Sequence, residues 1–358
     1  MDIYSRLAKH LAALGMGYPE KDELVEILRE NFTHAEAEVA LAIPSNCIPF
    51  EPAPVSQISR NAGMTEEETG PILERLADRG LIFATRQRCY SLQQFGYGFP
   101  QTFFWKGADT PFSRKMAAMI VKYAKRQQLL DAYGATKTKA FRYVPAYTAD
   151  PDRHAVFPFE MMEELIDKVR VVALAHCPCR MTMGLLGKRQ CSHELEVCMK
   201  YDDLAEYLID RGIGREITKE EAKKVTRRCA DAGLVHLVDN AREGIRHTCN
   251  CCGCCCWSVG SIRRRSIPRD ALMATYFLRE TLEDECIGCG ACVGICPVQA
   301  VHMEDGLPVV DRQWCIGCGV CASACPTDAV ILVRKSGARP PKDFRSLHKR
   351  ILRERKSS

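Results

Sequence analysis

The sequence contains no apolar run long enough to cross a bilayer: stretches such as Val171–Cys177 fall far short of the roughly 20 residues a spanning helix needs. Its first residues have neither the basic segment nor the apolar core of an export signal, so a soluble or peripheral cytoplasmic protein is expected. Three motifs are also missing. Without a G-x-G-x-x-G fingerprint, a P-loop or a serine-nucleophile motif, neither a nicotinamide site nor an ATP-driven step is supported. Excess charge is scarce too. The net charge is +5, and ten Lys/Arg against Asp343 and Glu354 between Arg334 and Ser358 give that tail +8, leaving −3 elsewhere. Such a balance does not single out nucleic acid as a partner of the whole chain.

What the chain does have is cysteine, 21 among 358 residues, with six in the eight positions Cys249–Cys256. In a reducing compartment, clustered thiols read as metal ligands or redox centres before disulfides. Crowded thiolates repel one another and oxidise, and a bound metal cation removes both problems. Isolated Cys47 and Cys89 read as inert.

From Asp22 to Phe95 the pattern is helix, helix, helix, hairpin. Asp22–Ile43 has helical spacing and stops before Pro44, Pro54–Met64 is a short helix ending near Gly63, and Thr65 with Glu68 opens a third that stops at Gly80. Leu81–Leu92 then alternates like two short strands. This order resembles a winged helix-turn-helix domain, which implies DNA binding. Charge opposes that role: Glu20–Arg88 carries thirteen Asp/Glu against seven Lys/Arg, and Glu66, Glu67 and Glu68 open the third helix. A structural or docking role is the expectation, and nucleic acid is not expected as a partner.

The strongest motif lies further along. Cys286–Pro297 (CIGCGACVGICP) and Cys315–Pro326 (CIGCGVCASACP) repeat C-x2-C-x2-C-x3-C-P, separated by a strand-turn-strand segment at Val298–Trp314. The pair resembles bacterial two-cluster ferredoxins over roughly Glu283–Val333. That resemblance implies one [4Fe–4S] cluster on Cys286, Cys289, Cys292 and Cys325, and a second on Cys315, Cys318, Cys321 and Cys296. Zinc ribbons use paired C-x2-C units and do not require the third and fourth cysteine with its proline.

Ten thiols upstream are candidate metal ligands: Cys177, Cys179, Cys191, Cys198, Cys249, Cys251, Cys252, Cys254, Cys255 and Cys256. Read as a helix, Cys191–Cys198 would place its two thiols on one face two turns apart, completing a set of four with Cys177 and Cys179. The ten suffice for two more cubanes, or for one cubane and a larger cluster, and iron–sulfur is favoured over zinc by the neighbouring motif. Cys229 reads as a core cysteine, and His176, Arg180, His193 and His247 as neighbours of the thiols that support them. Arg263, Arg264 and Arg265 would present a cationic face to the clusters or to an acidic partner. The Cys251–Cys252–Gly253 triplet resembles the CCG of heterodisulfide reductases, which hold a noncubane cluster acting on a disulfide. The chain departs from that family in lacking its long spacer to a C-x2-C pair.

Together these readings give an α+β expectation. Residues 1–100 form a winged-helix-like domain, 101–160 an aromatic-rich connection, 161–270 a helical cysteine-rich cluster domain, 271–335 a ferredoxin-like domain and 336–358 a basic tail. In the tail, Phe344, Leu347, Ile351 and Leu352 recur at helical spacing, available to a protein partner or, weakly, to an anionic membrane. The expected function is relay of low-potential electrons between a donor and a redox enzyme in anaerobic metabolism. The alternatives are an oxidoreductase with a catalytic cluster on Cys249–Cys256 and a redox-responsive DNA-binding regulator.

Overall fold

The computed structural model describes residues 1–45, 47–146, 161–335 and 339–356. It opens with helices Ile3–Ala12, Asp22–Asn31, His34–Ala42, Val55–Ala62 and Glu66–Asp78, followed by the hairpin Ile82–Ala84 and Cys89–Leu92. The segment expected as one helix from Asp22 to Ile43 is two. Thr33 restarts it: its hydroxyl accepts from the Glu36 amide and its own amide donates to the Glu36 carboxylate, a reciprocal cap stronger than continuation through Phe32. Ala53–Pro54 adds a third short strand to the hairpin through pairing with Cys89–Leu92.

The central region differs from the helical scaffold expected there. Six antiparallel strands form one sheet in the spatial order Phe141–Val144, Val235–Asp239, His247–Cys251, Glu196–Tyr201, Val172–His176 and Arg215–Ile217. Alternation at period two, not helical spacing, decides Glu196–Tyr201. Val197, Met199 and Tyr201 join a core with Val172, Leu174, Ala222, Val225 and Cys229, the last three on helix Lys219–Asp231. Cys198 and Lys200 point to the opposite face. The aromatic segment Phe95–Trp105 supplies buried rings to the larger core, and part of the connection reads outside the described residues, at 147–160.

Helix Glu66–Asp78 and the hairpin are covered by the central helix Asp202–Asp210. The Tyr207 hydroxyl is 2.9 Å from the Ala77 carbonyl and 2.8 Å from that of Ile82, and Arg86 grips both oxygens of Asp210 at 2.8 Å. At the other end, strands Phe277–Thr281 and Val330–Arg334 pair, and Val301–Glu304 and Leu307–Val310 form the strand-turn-strand expected between the cysteine repeats. Arg265 fastens this unit to the centre. Its guanidinium donates to the Val298 and Gln299 carbonyls at 2.8 and 2.6 Å and lies 4.7 Å over the Trp314 ring. It is therefore not part of a free cationic face.

The tail also differs from expectation. Helix Phe344–Lys356 buries Phe344, Leu347, His348 and Ile351 in the core, so its apolar stripe is not available to a membrane or a partner. Tyr97 Oη and His348 Nε2 stand 2.8 Å apart, Arg355 donates to the Leu14 carbonyl at 3.0 Å, and Thr138 donates to Glu354. Burial holds His348 down at about 3, so it stays neutral. Among the described residues, no helix is long and apolar enough to cross a membrane.

Leu347 tests this placement. Leu347→Ala is expected to cost about 2–5 kcal/mol in chemical denaturation, the range for truncating a buried leucine, whereas a solvated tail would give less than about 0.5 kcal/mol.

Candidate metal centres

The C-terminal repeats bring their thiols into two small cavities of about 20 Å³ each. Cys286, Cys289, Cys292 and Cys325 line one, and Cys296, Cys315, Cys318 and Cys321 line the other. Gly290 and Gly319, with φ of 72° and 74°, start the short helices carrying Cys292 and Cys321, a left-handed turn glycine makes without strain. One buried cation borders both cavities. Arg279 is 1% exposed, its Nη2 lies 3.7 Å from the Cys292 sulfur, and its Nε and Nη1 have no hydrogen-bond partner among the described residues. Burial pushes the Cys321 thiol up to about 12 despite the nearby Arg279. A bare thiolate is disfavoured in such a place. A cationic cluster reverses that preference, so the donor set fits iron–sulfur ligation.

The upstream thiols divide into two groups. Strand alternation places Cys249 and Cys251 on the face that carries Cys198, and the helix Pro178–Leu185 brings Cys177 and Cys179 over them. With Cys256 they surround a cavity of about 60 Å³, which Cys252 also borders. The contacts run from Cys177 to Cys179, Cys256, Cys251, Cys249 and Cys198 in turn. Two cations are buried with these six thiols. Arg180 is 0% exposed and donates to the Asn250 carbonyl at 3.0 Å, and Lys200 lies 4.7 Å over the Trp105 ring. Burial alone would lower both, yet the surrounding sulfurs hold both above their usual values. His247 sits between Cys249 and the fully buried Asp239, whose carboxylate is 3.4 Å away; burial lowers the imidazole, but Asp239 and Cys249 outweigh it and raise it.

The second group is Cys191, Cys252, Cys254 and Cys255, whose sulfurs all lie within 4.8 Å of one another. Cys191 comes from a loop and Cys198 from a strand. The helix expected across them does not form, and the two thiols serve different groups, so the expected set of Cys177, Cys179, Cys191 and Cys198 is corrected. Beside Cys254 and Cys255 opens a cavity of about 760 Å³ lined by Lys125, Arg126, Lys188, Arg189, Arg263 and Arg264. Cys229 joins neither group; burial first of all pushes its thiol up to about 12. His176 faces the Trp105 carbonyl at 3.3 Å, and the His193 carbonyl accepts from Arg189.

Lys200, Asp239 and Arg279 were not singled out by sequence. The available signal was a charged residue at an inward position of an alternating strand: Lys200 follows Cys198 by two, and Arg279 lies within Phe277–Thr281.

Residues 280–333 match the 4Fe-4S dicluster domain family. A stretch of 31 residues, 9% of the chain, is 56% identical to a ferredoxin of Mycolicibacterium smegmatis, and the chain spans 26% of that relative's length. No solved structure matches the chain. The fold and the sites thus define a protein with a ferredoxin-type module joined to a cysteine-rich metal region. Its cofactors are [4Fe–4S] clusters.

The division of thiols has a direct test. Cys198→Ser is expected to lose iron from the six-thiol cavity, up to about four atoms for a cubane, while Cys191→Ser leaves that cluster's EPR signal intact. Identical losses from both would show that the ten thiols form one centre.

Proposed function

We propose that the chain is an iron–sulfur electron-transfer protein of anaerobic cytoplasmic metabolism, relaying low-potential electrons between a donor and a partner redox enzyme. One contact carries this reading. A Cβ added to Gly253, within the Cys249–Cys256 run, would stand 2.0 Å from the carbonyl oxygen of Pro297, which follows Cys296. The upstream cysteine run is therefore packed against a ferredoxin cysteine turn with no side chain between them. Tyr143 is buried among Cys251, Cys256 and Cys318, and Ala146 donates to the Cys318 carbonyl at 2.8 Å. Protein contacts thus connect the six-thiol cavity to the ferredoxin unit.

In this reading Cys286, Cys289, Cys292 and Cys325 hold one cluster, Cys296, Cys315, Cys318 and Cys321 the second, and the six-thiol cavity a third. A [4Fe–4S] cluster supplies one-electron exchange at a potential set by its charge, hydrogen bonds and exposure. The residues set those conditions differently. Arg279 offers positive charge to both ferredoxin cavities, Arg180 and Lys200 offer it to the six-thiol cavity, and the Ala300 amide donates to the Cys296 sulfur at 3.2 Å. Cys289 is exposed, and neighbouring Ile287 is 66% exposed, so the partner meets the protein at this cavity.

We read the N-terminal helices and hairpin as winged-helix-like and as a docking unit within the chain, since Tyr207 and Arg86 hold them against the central helix. The acidic start of helix Glu66–Asp78, with Glu66, Glu67 and Glu68 exposed, disfavours DNA. A second reading, a catalytic cluster in the Cys249–Cys256 stretch, is favoured by the open cavity beside Cys254 and Cys255.

Gly253→Ala tests the relay, because the added methyl must push Pro297 away, at about 1–3 kcal/mol of stability. With a reduced ferredoxin as donor and freeze-quench EPR, the C-terminal clusters are expected to fill at the wild-type rate and the upstream cluster more slowly. Upstream reduction at the wild-type rate would show that electrons do not pass through this contact.

A further inference from the structure

The four thiols Cys191, Cys252, Cys254 and Cys255 are spaced differently from the rest. Cys191 stands 4.0 Å from Cys252 and 3.9 Å from Cys255, and Cys254 stands 3.5 and 3.6 Å from the same two. A tetrahedron of sulfurs around one ion at a zinc–sulfur distance of about 2.3 Å has edges of about 3.8 Å. A cubane instead spreads its thiolates over separate irons at different corners, which holds the sulfurs further apart. The chain contains its own comparison. Among the described residues, these four, all within 4.8 Å of one another, are the one group of three or more such side chains gathered closely enough to hold a single ion.

From this spacing we infer that Cys191, Cys252, Cys254 and Cys255 hold a single tetrahedral zinc ion rather than an iron–sulfur cluster. Four thiolates fill the coordination sphere, as in closed structural zinc sites, and zinc has no redox step of its own. The surroundings suit the resulting charge: four thiolates on a divalent ion leave a dianion. Arg189 approaches Cys191, Arg264 Nη1 lies 3.5 Å from the Cys254 carbonyl, and Lys188 and Arg263 line the adjoining cavity, to which no carboxylate among the described residues contributes. Among the described residues, none of these four cations is ion-paired to a carboxylate.

The ion has a mechanical consequence. It ties the Cys191 loop to Cys252–Cys255, the segment that both borders the six-thiol cavity and abuts Pro297. The zinc thus fixes the joint between the upstream cluster and the ferredoxin unit. This inference is independent of the relay reading, since the irons it leaves in place still conduct.

Metal analysis and zinc K-edge absorption on the full-length protein, purified anaerobically from iron-replete cells, test the proposal. One zinc per chain with four sulfur neighbours at about 2.3 Å is expected. Cys255→Ser should lose that zinc with the iron count unchanged. Loss of about four irons from Cys255→Ser, a mononuclear iron in place of zinc, or zinc in the wild type with nitrogen or oxygen neighbours would overturn it. The wild-type absorption measurement decides the matter even if the variant does not fold.

Discussion

Everything in this protein depends on making crowded, buried thiols tolerable. A buried thiol resists ionisation and a neighbouring thiolate resists it further, so a run such as Cys249–Cys256 is unstable as bare sulfur. Positive charge is the remedy, and the fold supplies part of it. Arg180, Lys200 and Arg279 are each nearly inaccessible, and each lies against cysteine sulfur. An isolated buried cation costs several kcal/mol, so these side chains need the thiolates as much as the thiolates need them. Bound metal supplies the rest.

That mutual need explains the architecture. The upstream sulfurs come from separate segments: the turn into helix Pro178–Leu185, the Cys191 loop, the Cys198 strand and the run that ends strand His247–Cys251. A six-stranded sheet can deliver them because its alternation turns Cys198, Cys249 and Cys251 toward one face while Val197, Met199 and Tyr201 pack on the other. The N-terminal helices and the C-terminal helix then close around the larger core, with Phe50 stacked near Phe344 and Tyr97 between Phe141 and His348. Thr138, on the approach to the first sheet strand, and Leu14, at the end of the first helix, both bond to the last helix. The two ends of the chain therefore meet.

Local rules made some of this legible and not the rest. The ferredoxin quartets are grouped by the resemblance of two short repeats to a known family, and the cap at Thr65 leaves a local signature of Thr followed by Glu that reads as a helix start, whereas the same signature at Thr33 is passed over inside a longer apolar pattern. The upstream groups could not be sorted that way. Cys191 and Cys198 sit seven apart, which fits a helix face as well as a strand, and only the sheet neighbours decide that they part. Adjacent Cys254, Cys255 and Cys256 likewise divide between two groups, because a tight turn beginning at Gly253 redirects successive side chains. The tail helix misled for a related reason. An amphipathic stripe records that an apolar face is covered, and it does not say whether the cover is a partner, a membrane or the chain's own core.

The central claim is that eighteen of the 21 cysteines are gathered around metal centres, leaving Cys47, Cys89 and Cys229. Native alkylation followed by peptide mass spectrometry on anaerobically purified protein tests it most directly. Cys47 and Cys89, both partly exposed, should be labelled, buried Cys229 should not, and the eighteen cysteines of the metal centres should react only after chelation and denaturation. Stoichiometric labelling of Cys191, Cys254 or Cys289 in the native, metal-loaded protein would contradict the account.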